Sequence, residues 1–384
     1  MDKKKICFIV AIPGTAQSFL MDHIRALSKE YDVFLVANSE RPEPMKDLPL
    51  AGYHIAPIER GISIINDIKG VFDLRRYFKE MRFDAVHSVT PKAGLLTALA
   101  GFLAKVPVRI HIFTGQVWAN KKGFSRWLLK LIDKIIAKLD THILVDGEGQ
   151  RQYLIQNGVV TEGKSVVLGK GSISGVNLTR FSPSKAVRDD IRAELKISDD
   201  KTVFIFLGRL NHDKGMFELL PAFDWLAKEN KGVYLLLVGR DEENISEHFS
   251  EYEHIVPGEN FCYYGPTNEP QRLLQAGDVF VLPTYREGFG SSVIEASAMG
   301  LPVICSDAYG VMDAMVDNVT GLRCKVGDVV SLYDAMNSFI DNPDLIKKFG
   351  AAGRERVLID FDGAKMSGLW VRFYADALCR KEPF

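Results

Sequence analysis

The chain has 384 residues, enough for two domains. Its composition, 47% hydrophobic and 25% charged, is too apolar for a disordered protein. Its net charge of −1 lacks the strong basic excess typical of nucleic-acid binding, and no apolar run approaches the roughly 18 residues of a membrane span. Five scattered cysteines without a CxxC pair indicate neither disulfides nor a zinc site. We therefore expect a cytoplasmic protein, soluble or peripheral on the inner face of the membrane, with no nucleic-acid partner.

Charge is shared unevenly between the two halves of the chain. Residues 1–170 contain 25 Lys and Arg against 17 Asp and Glu, whereas residues 171–384 contain 23 against 32. The amino-terminal half is therefore the half that we expect to meet an anionic surface.

Apolar, β-rich runs alternate with helical patterns from the amino terminus onward. MDKKK precedes a run of only seven apolar residues without a cleavage site, so it predicts a first strand and no signal peptide. The strands KICFIVAI, DVFLVAN, DAVHSV, VRIHIF and THILVD alternate with helices predicted at Phe19–Glu30, Ile64–Met81, Ala93–Leu103 and Phe124–Leu139. This alternation is typical of βαβ crossovers and a parallel sheet.

The pattern restarts after a boundary predicted near Gly171–Phe181. TVFIFLG, VYLLLVG, NFCYYG, DVFVLP and PVICSD are the predicted strands, with helices from Met216, at Pro270–Gln275 and at Val293–Met299. The sequence thus predicts an α/β fold of two Rossmann-like, doubly wound parallel-sheet domains that face a central cleft. Ligands bind such sheets at the carboxyl ends of the strands.

The segment after DVFVLP has the composition of an anion and hydroxyl site. Gly288 and Gly290 allow close backbone approach, and Ser291 and Ser292 are suitable caps for the helix that follows. Free amides and the helix dipole would then face a phosphate.

Two carboxylates flank this turn. Glu287 precedes it and Glu295 lies one turn into the helix, so we expect both to face one cleft and to accept hydrogen bonds from sugar or ribose hydroxyls. The alternative is that Glu287 solvates a loop and Glu295 pairs on a surface.

Two cations follow the strand TVFIFLG. Arg209 comes directly after it and Lys214 five residues later, at the start of the next helix. A guanidinium fork and a point charge at the end of a central strand suit a diphosphate. Solvated charges in a polar loop are the alternative.

These segments together resemble a known family. EGFGSSVIE with its E-x7-E spacing, EASAMGLPVICSD, GVMDAMVDNVTGL and FLGRLNHDKG resemble the donor site of family 4 retaining glycosyltransferases of the GT-B fold. HSVTPKAGLLTALAG, TGQVW and GSISGVNLTRF resemble its branch that builds capsule, O-antigen and glycan-lipid repeats.

The resemblance implies a domain plan and a set of donor contacts. It implies an acceptor-binding domain over 1–172, a sugar-nucleotide domain over 173–362 and a helix over 363–384 that crosses back to the first domain. Glu287, Arg209 and Lys214 would be the catalytic residues. The implied donor-binding residues are Gly14, Thr15, Arg209, Lys214, Glu287, Gly288, Phe289, Gly290, Ser291 and Glu295.

We expect no metal and no cofactor beyond the nucleotide sugar. Metal-dependent glycosyltransferases of the other major fold use a D-x-D pair, and the match here, Asp360–Asp362, follows a helix outside the predicted cleft.

The acceptor side departs from the family pattern. Relatives carry a His before a Gly in the loop after the fifth strand, where this chain has Thr114 before Gly115, and His111 lies on the strand itself. A strand His is more often a core residue, so Thr114 and Gln116 are the stronger candidates. Lys92, near His87 at another strand end, is a candidate for an acceptor phosphate or a plain surface charge.

The predicted helix at 121–139 is basic and amphipathic, with Trp127 among its apolar residues and with Lys122, Arg126, Lys130, Lys134 and Lys138 at four-residue spacing. Such a helix can lie on anionic lipid headgroups, or it can pack on the sheet with a solvated face.

The sequence therefore predicts a retaining, metal-independent glycosyltransferase. We expect its donor to be a UDP-linked hexose or N-acetylhexosamine and its acceptor a lipid-linked saccharide. A non-hydrolysing sugar-nucleotide 2-epimerase and a non-catalytic partner subunit remain as alternatives.

Overall fold

The computed structural model describes residues 3–59, 61 and 63–379. The chain divides into two compact units, residues 1–174 with 363–384 and residues 175–362. Within the described ranges, no helix combines the length and the apolar character needed to cross a membrane.

The first unit is built on a seven-stranded parallel sheet in the order β3-β2-β1-β4-β5-β6-β7. These strands are short apolar runs that are almost wholly buried, which is why they read as continuous hydrophobic segments. The strands are β1 Lys5–Ile9, β2 Asp32–Ala37, β3 Gly52–Ile55, β4 Ala85–Val89, β5 Val108–Phe113, β6 His142–Val145 and β7 Ser165–Val167.

Helices cover both faces of this sheet. One face packs against α3 and α4, where Leu74, Phe78 and Leu96 contact the strands, and α5 and α6 extend the same cover. The helices of this stretch of chain are α1 Pro13–Phe19, α2 Met21–Leu27, α3 Ile64–Met81, α4 Pro91–Ala104, α5 Gly123–Leu139 and α6 Glu148–Gln156.

The second unit is built on a six-stranded parallel sheet in the order β10-β9-β8-β11-β12-β13. Its strands are β8 Thr202–Leu207, β9 Val233–Val238, β10 Phe261–Gly265, β11 Val279–Leu282, β12 Val303–Ser306 and β13 Gly321–Cys324. Its helices are α7 Lys185–Glu194, α8 Met216–Glu229, α9 Pro270–Leu274, α10 Ser291–Ala298, α11 Val329–Asp341 and α12 Asp344–Asp360. One continuous core joins both faces.

The last helix, α13 Gly363–Cys379, belongs to the first unit, where it packs on α2. Trp370 and Tyr374 are fully buried there against Phe8 of β1. His23 of α2 donates or accepts at Ser367 Oγ over 2.9 Å, which adds a polar contact to an apolar seam. Residues 380–384 of the predicted helix lie outside the described residues.

The α/β fold with two parallel sheets is confirmed, but several elements differ from prediction. The helix predicted at Phe19–Glu30 is shorter, α2 Met21–Leu27, and a helix that was not predicted, α1 Pro13–Phe19, precedes it across Leu20. The strands β3, β7 and β13 were not predicted, because they lie at sheet edges, are only partly buried and so lack the continuous apolar run of the central strands.

Candidate functional site

The strand order places the predicted donor site at a topological switch point. β8 lies between β9 and β11, so the chain leaves β8 toward one side of the sheet and returns at β11 on the other. Crossovers on opposite faces open a crevice at the carboxyl ends of the two central strands. The loops that border this crevice are residues 208–215 after β8 and residues 283–290 after β11.

Glycines bring these two loops into direct backbone contact. Gly215 has φ of 76°, and a Cβ there would lie 2.1 Å from the carbonyl oxygen of Pro283. A Cβ on Gly239, after β9, would lie 1.7 Å from the carbonyl oxygen of Gly208. A side chain is impossible at both positions without moving the backbone, so the loops are held at a fixed separation.

Lys214 and Glu287 form an ion pair across the crevice. Their side chains are only 17% and 15% exposed. Asn211 accepts a 3.1 Å hydrogen bond from the Lys214 amide and so caps the short 3₁₀ turn His212–Lys214 that carries the lysine. A buried charge without a partner of opposite sign is energetically unfavourable. If one member of this pair is drawn away, the other therefore attracts an oppositely charged group of a ligand.

Arg209 joins the same network through a residue that the sequence analysis missed. Its guanidinium donates to Glu242 Oε2 at 2.8 Å, and Asn211 Nδ2 donates to the same oxygen at 3.2 Å. The Arg209 side chain remains 54% exposed. The structure thus brings Arg209, Lys214 and Glu287 into one chain of contacts by way of Glu242 and Asn211.

A second ion pair joins the loop after β8 to the loop after β11. Arg286 donates from Nε and Nη2 to Asp213 Oδ2 at 3.0 and 2.6 Å. The Asp213 carbonyl oxygen accepts from the Thr284 hydroxyl and the Tyr285 amide, both at 2.9 Å. Both charged residues precede a predicted site residue, Arg286 before Glu287 and Asp213 before Lys214, but nothing in the sequence shows that they meet.

The glycine turn leaves its amides available. Within the described part of the chain, the backbone N–H groups of Gly288, Phe289 and Gly290 donate to no acceptor. Gly290 is the residue before α10 and has φ of 89°, so α10 begins directly at the turn. These are the amides that an anion at this end of the helix would meet.

Two details of this turn differ from the predicted role. Ser291 and Ser292 are the first helical residues rather than caps, and Gly290 takes the cap position. The Phe289 ring is 2% exposed and packs edge-on against Phe361 at 5.3 Å. Only the backbone of Phe289 is therefore placed to contact a ligand.

Glu295 takes part in none of the described contacts of the Glu287 network. It is half-buried on α10, and among the described residues its carboxylate has no hydrogen-bond partner. Burial raises its pKa to about 7, against a partial opposing effect of Arg180. No described contact joins the two carboxylates that the sequence predicts in one cleft.

In the first unit, the predicted acceptor-side histidine is a core residue. His111 on β5 is 1% exposed, and its Nδ1 lies 2.8 Å from Ser88 Oγ. Burial lowers its pKa to about 3, so the ring is neutral. A Cβ on Gly94 would lie 2.5 Å from the ring, so α4 closes directly over it.

Other predicted acceptor-side residues are also engaged within the unit. Lys92 pairs with Asp67 at 2.6 Å and donates to the Gly61 carbonyl oxygen at 2.7 Å. Gln116 is fully buried and accepts from Gln150 Nε2 at 3.4 Å. Thr114 is half-buried after β5.

His87, predicted beside Lys92 at the end of a strand, is fully buried, with Nδ1 2.8 Å from the Tyr374 hydroxyl. The two loop residues predicted on the donor side of this unit, Gly14 and Thr15, lie in the first turn of α1 after β1.

The basic helix α5 exposes only part of its charge. Arg126 and Lys130 lie over the Trp118 ring at 5.4 and 5.5 Å, so these two cations face the unit. Phe124 and Trp127 are 74% and 58% exposed and stack on each other. The exposed cations are Lys134 and Lys138 on the helix and Lys121 and Lys122 directly before it.

Comparison with known proteins follows the two units. Residues 14–171 match the family model described as glycosyl transferase 4-like domain, and residues 187–356 match glycosyl transferases group 1. The capsular polysaccharide biosynthesis glycosyltransferase CapM of Staphylococcus aureus is 30% identical over 329 residues, 86% of each chain.

Two further similarities cover nearly the whole chain. UDP-Gal:alpha-D-GlcNAc-diphosphoundecaprenol alpha-1,3-galactosyltransferase of Escherichia coli is 24% identical over 347 residues, 88% of this chain and 89% of the relative. The crystal structure of Anabaena HepE with UDP and glucose superposes with a TM-score of 0.80 at 18% identity, over 97% of this chain and all of that one.

The chain therefore belongs to the group 1 glycosyltransferases with a glycosyl transferase 4-like amino-terminal domain, and it is a glycosyltransferase of the GT-B fold. The resemblance drawn from its motifs is confirmed. This assignment also decides between the predicted enzyme and its alternatives, an epimerase and a non-catalytic subunit, in favour of the transferase.

Proposed function

We propose that this glycosyltransferase moves a hexose or N-acetylhexosamine from a UDP-sugar to a lipid-linked saccharide, with retention of configuration and without a metal. The names of CapM and of the E. coli relative, whose acceptor is a diphosphoundecaprenol-linked sugar, support a place in surface-polysaccharide assembly. The second unit would hold the donor and the first unit the acceptor.

The observation that carries this proposal is the Lys214–Glu287 pair at the switch point of the second sheet. It places a half-buried cation, a carboxylate and the turn amides of Gly288 and Gly290 around the ends of β8 and β11. Such an arrangement binds a diphosphate through fixed donors and a sugar hydroxyl through a fixed acceptor.

In the proposed complex, the diphosphate takes over contacts that carboxylates make in the free protein. Glu242 holds Arg209 and Glu287 holds Lys214, so both cations are neutralised without ligand. A diphosphate would replace those carboxylates and leave Glu287 free to accept from a donor-sugar hydroxyl. Preorganised cations and amides then stabilise negative charge on the leaving phosphate as the glycosidic bond loosens.

Glu295 is the proposed ribose ligand. A half-buried carboxylate that accepts no hydrogen bond from the described residues is stabilised by hydroxyl donors, which a ribose supplies in pairs. Its ionised form would be the binding form.

The first unit is the proposed contact with an anionic membrane surface. Phe124 and Trp127 can enter the headgroup region while Lys121, Lys122, Lys134 and Lys138 meet lipid phosphates. We therefore propose that the enzyme works as a peripheral protein on the cytoplasmic face.

The decisive variant is Lys214→Ala. We expect its affinity for UDP, measured by calorimetry, to fall roughly 10- to 100-fold, because a charge-assisted contact is worth about 1.5–3 kcal/mol. Lys228→Ala, an exposed lysine on α8, is the matched control and should bind UDP as the parent does. Equal affinity of the parent and the Lys214 variant would contradict the donor site.

Activity is tested with radiolabelled sugar nucleotides and a polyprenyl-diphosphate-sugar acceptor. We expect transfer from a UDP-sugar that persists in EDTA. The proposal fails if no donor gives transfer beside a competent relative, or if UDP-N-acetylglucosamine alone is converted to another sugar nucleotide.

A further inference from the structure

The outer surface of helices α3, α4 and α5 is unusually apolar. Of the twenty large hydrophobic side chains that are exposed in the described part of the chain, nine lie on these three helices. The nine are Ile64, Ile65, Ile68, Phe72, Phe102, Leu103, Phe124, Trp127 and Leu131. A concentration of this kind on one face marks a binding surface rather than a solvated one.

A groove runs along this surface between α3 and α4. Its volume is about 280 Å³, near the lower end of ligand-site volumes of roughly 300–1,000 Å³. Ile68 and Phe72 line one wall, and Leu95, Leu99 and Leu103 line the other. The four-residue spacing on both helices places these side chains one above another, so the groove is elongated along the helix axes.

The described lining of the groove is apolar apart from Asp67. The carboxylate of Asp67 is paired with Lys92 at 2.6 Å, so it is not open to a polar ligand. A peptide backbone laid there would lose hydrogen bonds to water without replacement, whereas a hydrocarbon chain loses none.

The surroundings of the groove favour a chain that ends in an anion. α4 contains no Asp or Glu, and the acid of α5, Asp133, is buried against Trp118. Two of the three acids of α3 are paired, Asp67 with Lys92 and Asp73 with Arg76, and Glu80 is exposed near the carboxyl end of the helix. The exposed cations on and beside the three helices include Lys69, Arg76, Lys79, Lys105, Lys121, Lys122, Lys134 and Lys138. α4 also begins directly after β4, whose neighbour β1 marks the strand-order reversal of this sheet. One end of the groove therefore lies toward the carboxyl edge, where the reacting head of an acceptor is expected.

We propose that the α3–α4 groove binds the first part of the polyprenyl chain of the lipid-linked acceptor. This inference rests on the proposed function for the identity of the acceptor. It places the lipid chain of that acceptor, and not its saccharide, in the groove. The chain enters from the bilayer with its diphosphate toward the carboxyl edge of the first sheet.

Two soluble acceptor analogues distinguish binding of the lipid chain from binding of the sugar diphosphate. They are N-acetylglucosamine diphosphate esterified with farnesyl and the same compound esterified with propyl. The parent should bind the farnesyl compound at least tenfold more tightly, because burying several methylene-sized groups has an effect of that size. Ile68→Glu with Leu103→Glu should abolish this preference and leave the affinities for the propyl compound and for UDP unchanged.

The matched control is Leu358→Glu with Ile359→Glu on α12, where the same residue types are 42% and 59% exposed, against 48% and 53% in the groove. It should keep the farnesyl preference. Phe72→Ser, a milder change in the same wall, should reduce that preference, so the inference stays testable if the double variant unfolds.

Three outcomes would overturn the inference. They are equal binding of both compounds by the parent, an unchanged preference in the groove variants, and loss only of self-association or of binding to phosphatidylglycerol vesicles in those variants. Glycosylation of the propyl compound without a chain preference would reject the groove and retain the proposed function. Chain binding without transfer from any sugar nucleotide would reject the function instead.

Discussion

At the scale of single residues, the neighbouring charges decide whether a lysine is available to a ligand, more than its residue type does. Lys214 is predicted to contact phosphate and Lys92 is a candidate for such a contact or a plain surface charge, and both are paired, Lys92 with Asp67 and Lys214 with Glu287. Lys214 lies at the switch point of its sheet beside amides without a described acceptor, whereas Lys92 also ties down the Gly61 carbonyl oxygen. The same side chain is thus a ligand candidate in one place and a structural contact in the other.

Glu295 should give donor binding a distinct pH dependence. Burial raises its pKa to about 7, and hydroxyl groups bind the ionised form, so the affinity for UDP should fall several-fold from pH 8 to pH 6. The UDP phosphate also titrates near this range, so Glu295→Gln is the control that isolates the residue. Calorimetry at both pH values should show a weaker and flatter dependence in the variant, and parallel curves would remove Glu295 from the site.

Asp140 should make stability fall as pH rises. It is 2% exposed, both carboxyl oxygens lack hydrogen-bond partners among the described residues, and burial raises its pKa to about 8, opposed by Arg109 and Lys164. The folded state therefore holds this proton from about pH 4 to pH 8 while the unfolded state releases it, so the free energy of unfolding decreases across that window.

Asp140→Asn removes this titration. Urea unfolding should show that the variant loses about 1–3 kcal/mol less than the parent between pH 5 and pH 8. Because the amide is itself left without a partner, the pH slope is the meaningful quantity. Identical slopes would mean that Asp140 is ionised in the folded protein.

At the scale of elements, α5 shows why a charge pattern along a helix does not reveal which charges reach solvent. Its cations recur at four-residue spacing, yet Arg126 and Lys130 face Trp118 while Lys134 and Lys138 are exposed. Cation–π contacts with an aromatic residue upstream of the helix hold the first two in place.

Lys134→Glu with Lys138→Glu should therefore weaken binding to phosphatidylglycerol vesicles at least tenfold, since each lysine near an anionic surface contributes about 1 kcal/mol. Vesicle sedimentation measures this, with Lys228→Glu and Lys347→Glu, exposed lysines of the second unit, as the control. Affinity for UDP should not change. Equal vesicle binding by the parent, the α5 variant and the control variant would contradict a membrane role of α5.

At the scale of the whole molecule, the first unit is completed by the end of the chain. Trp370 of α13 stacks on His23 at 4.4 Å and on His87 at 5.0 Å and is fully buried. Residues separated by the whole second unit thus share one core, and the sheet of the first unit depends on a helix that follows the second unit in the chain.

Trp370→Ala should cost about 3–5 kcal/mol, as large aromatic truncations in a core do. Hydrogen exchange should locate the loss in β1 and β4 of the first unit. Trp225→Ala, which removes a 43% exposed tryptophan in the second unit, is the matched control and should cost far less. A small loss in both would mean that α13 is docked only loosely.

Many of the helices and strands could be predicted from the sequence because they produce short, regular patterns of apolar residues. Apolar runs such as VYLLLV are buried strands, and the helices at 64–81 and 124–139 appear within a residue of their predicted bounds. Helix α1 and the partly buried edge strands β3, β7 and β13 were not predicted, because brief or half-exposed elements are specified more by their neighbours than by their own periodicity.

The sequence by itself determined the parallel α/β class, the family and the strand–turn–helix that carries Glu287, since each depends on residues close together in the chain. Only the tertiary structure decided that Lys214 meets Glu287, 73 residues away, that the Glu295 carboxylate is buried without a hydrogen bond among the described residues, and that an apolar groove stays uncovered between α3 and α4. The reason is physical: side-chain periodicity reports local conformation, whereas strand order and the pairing of buried charges depend on the packing of the complete sheet.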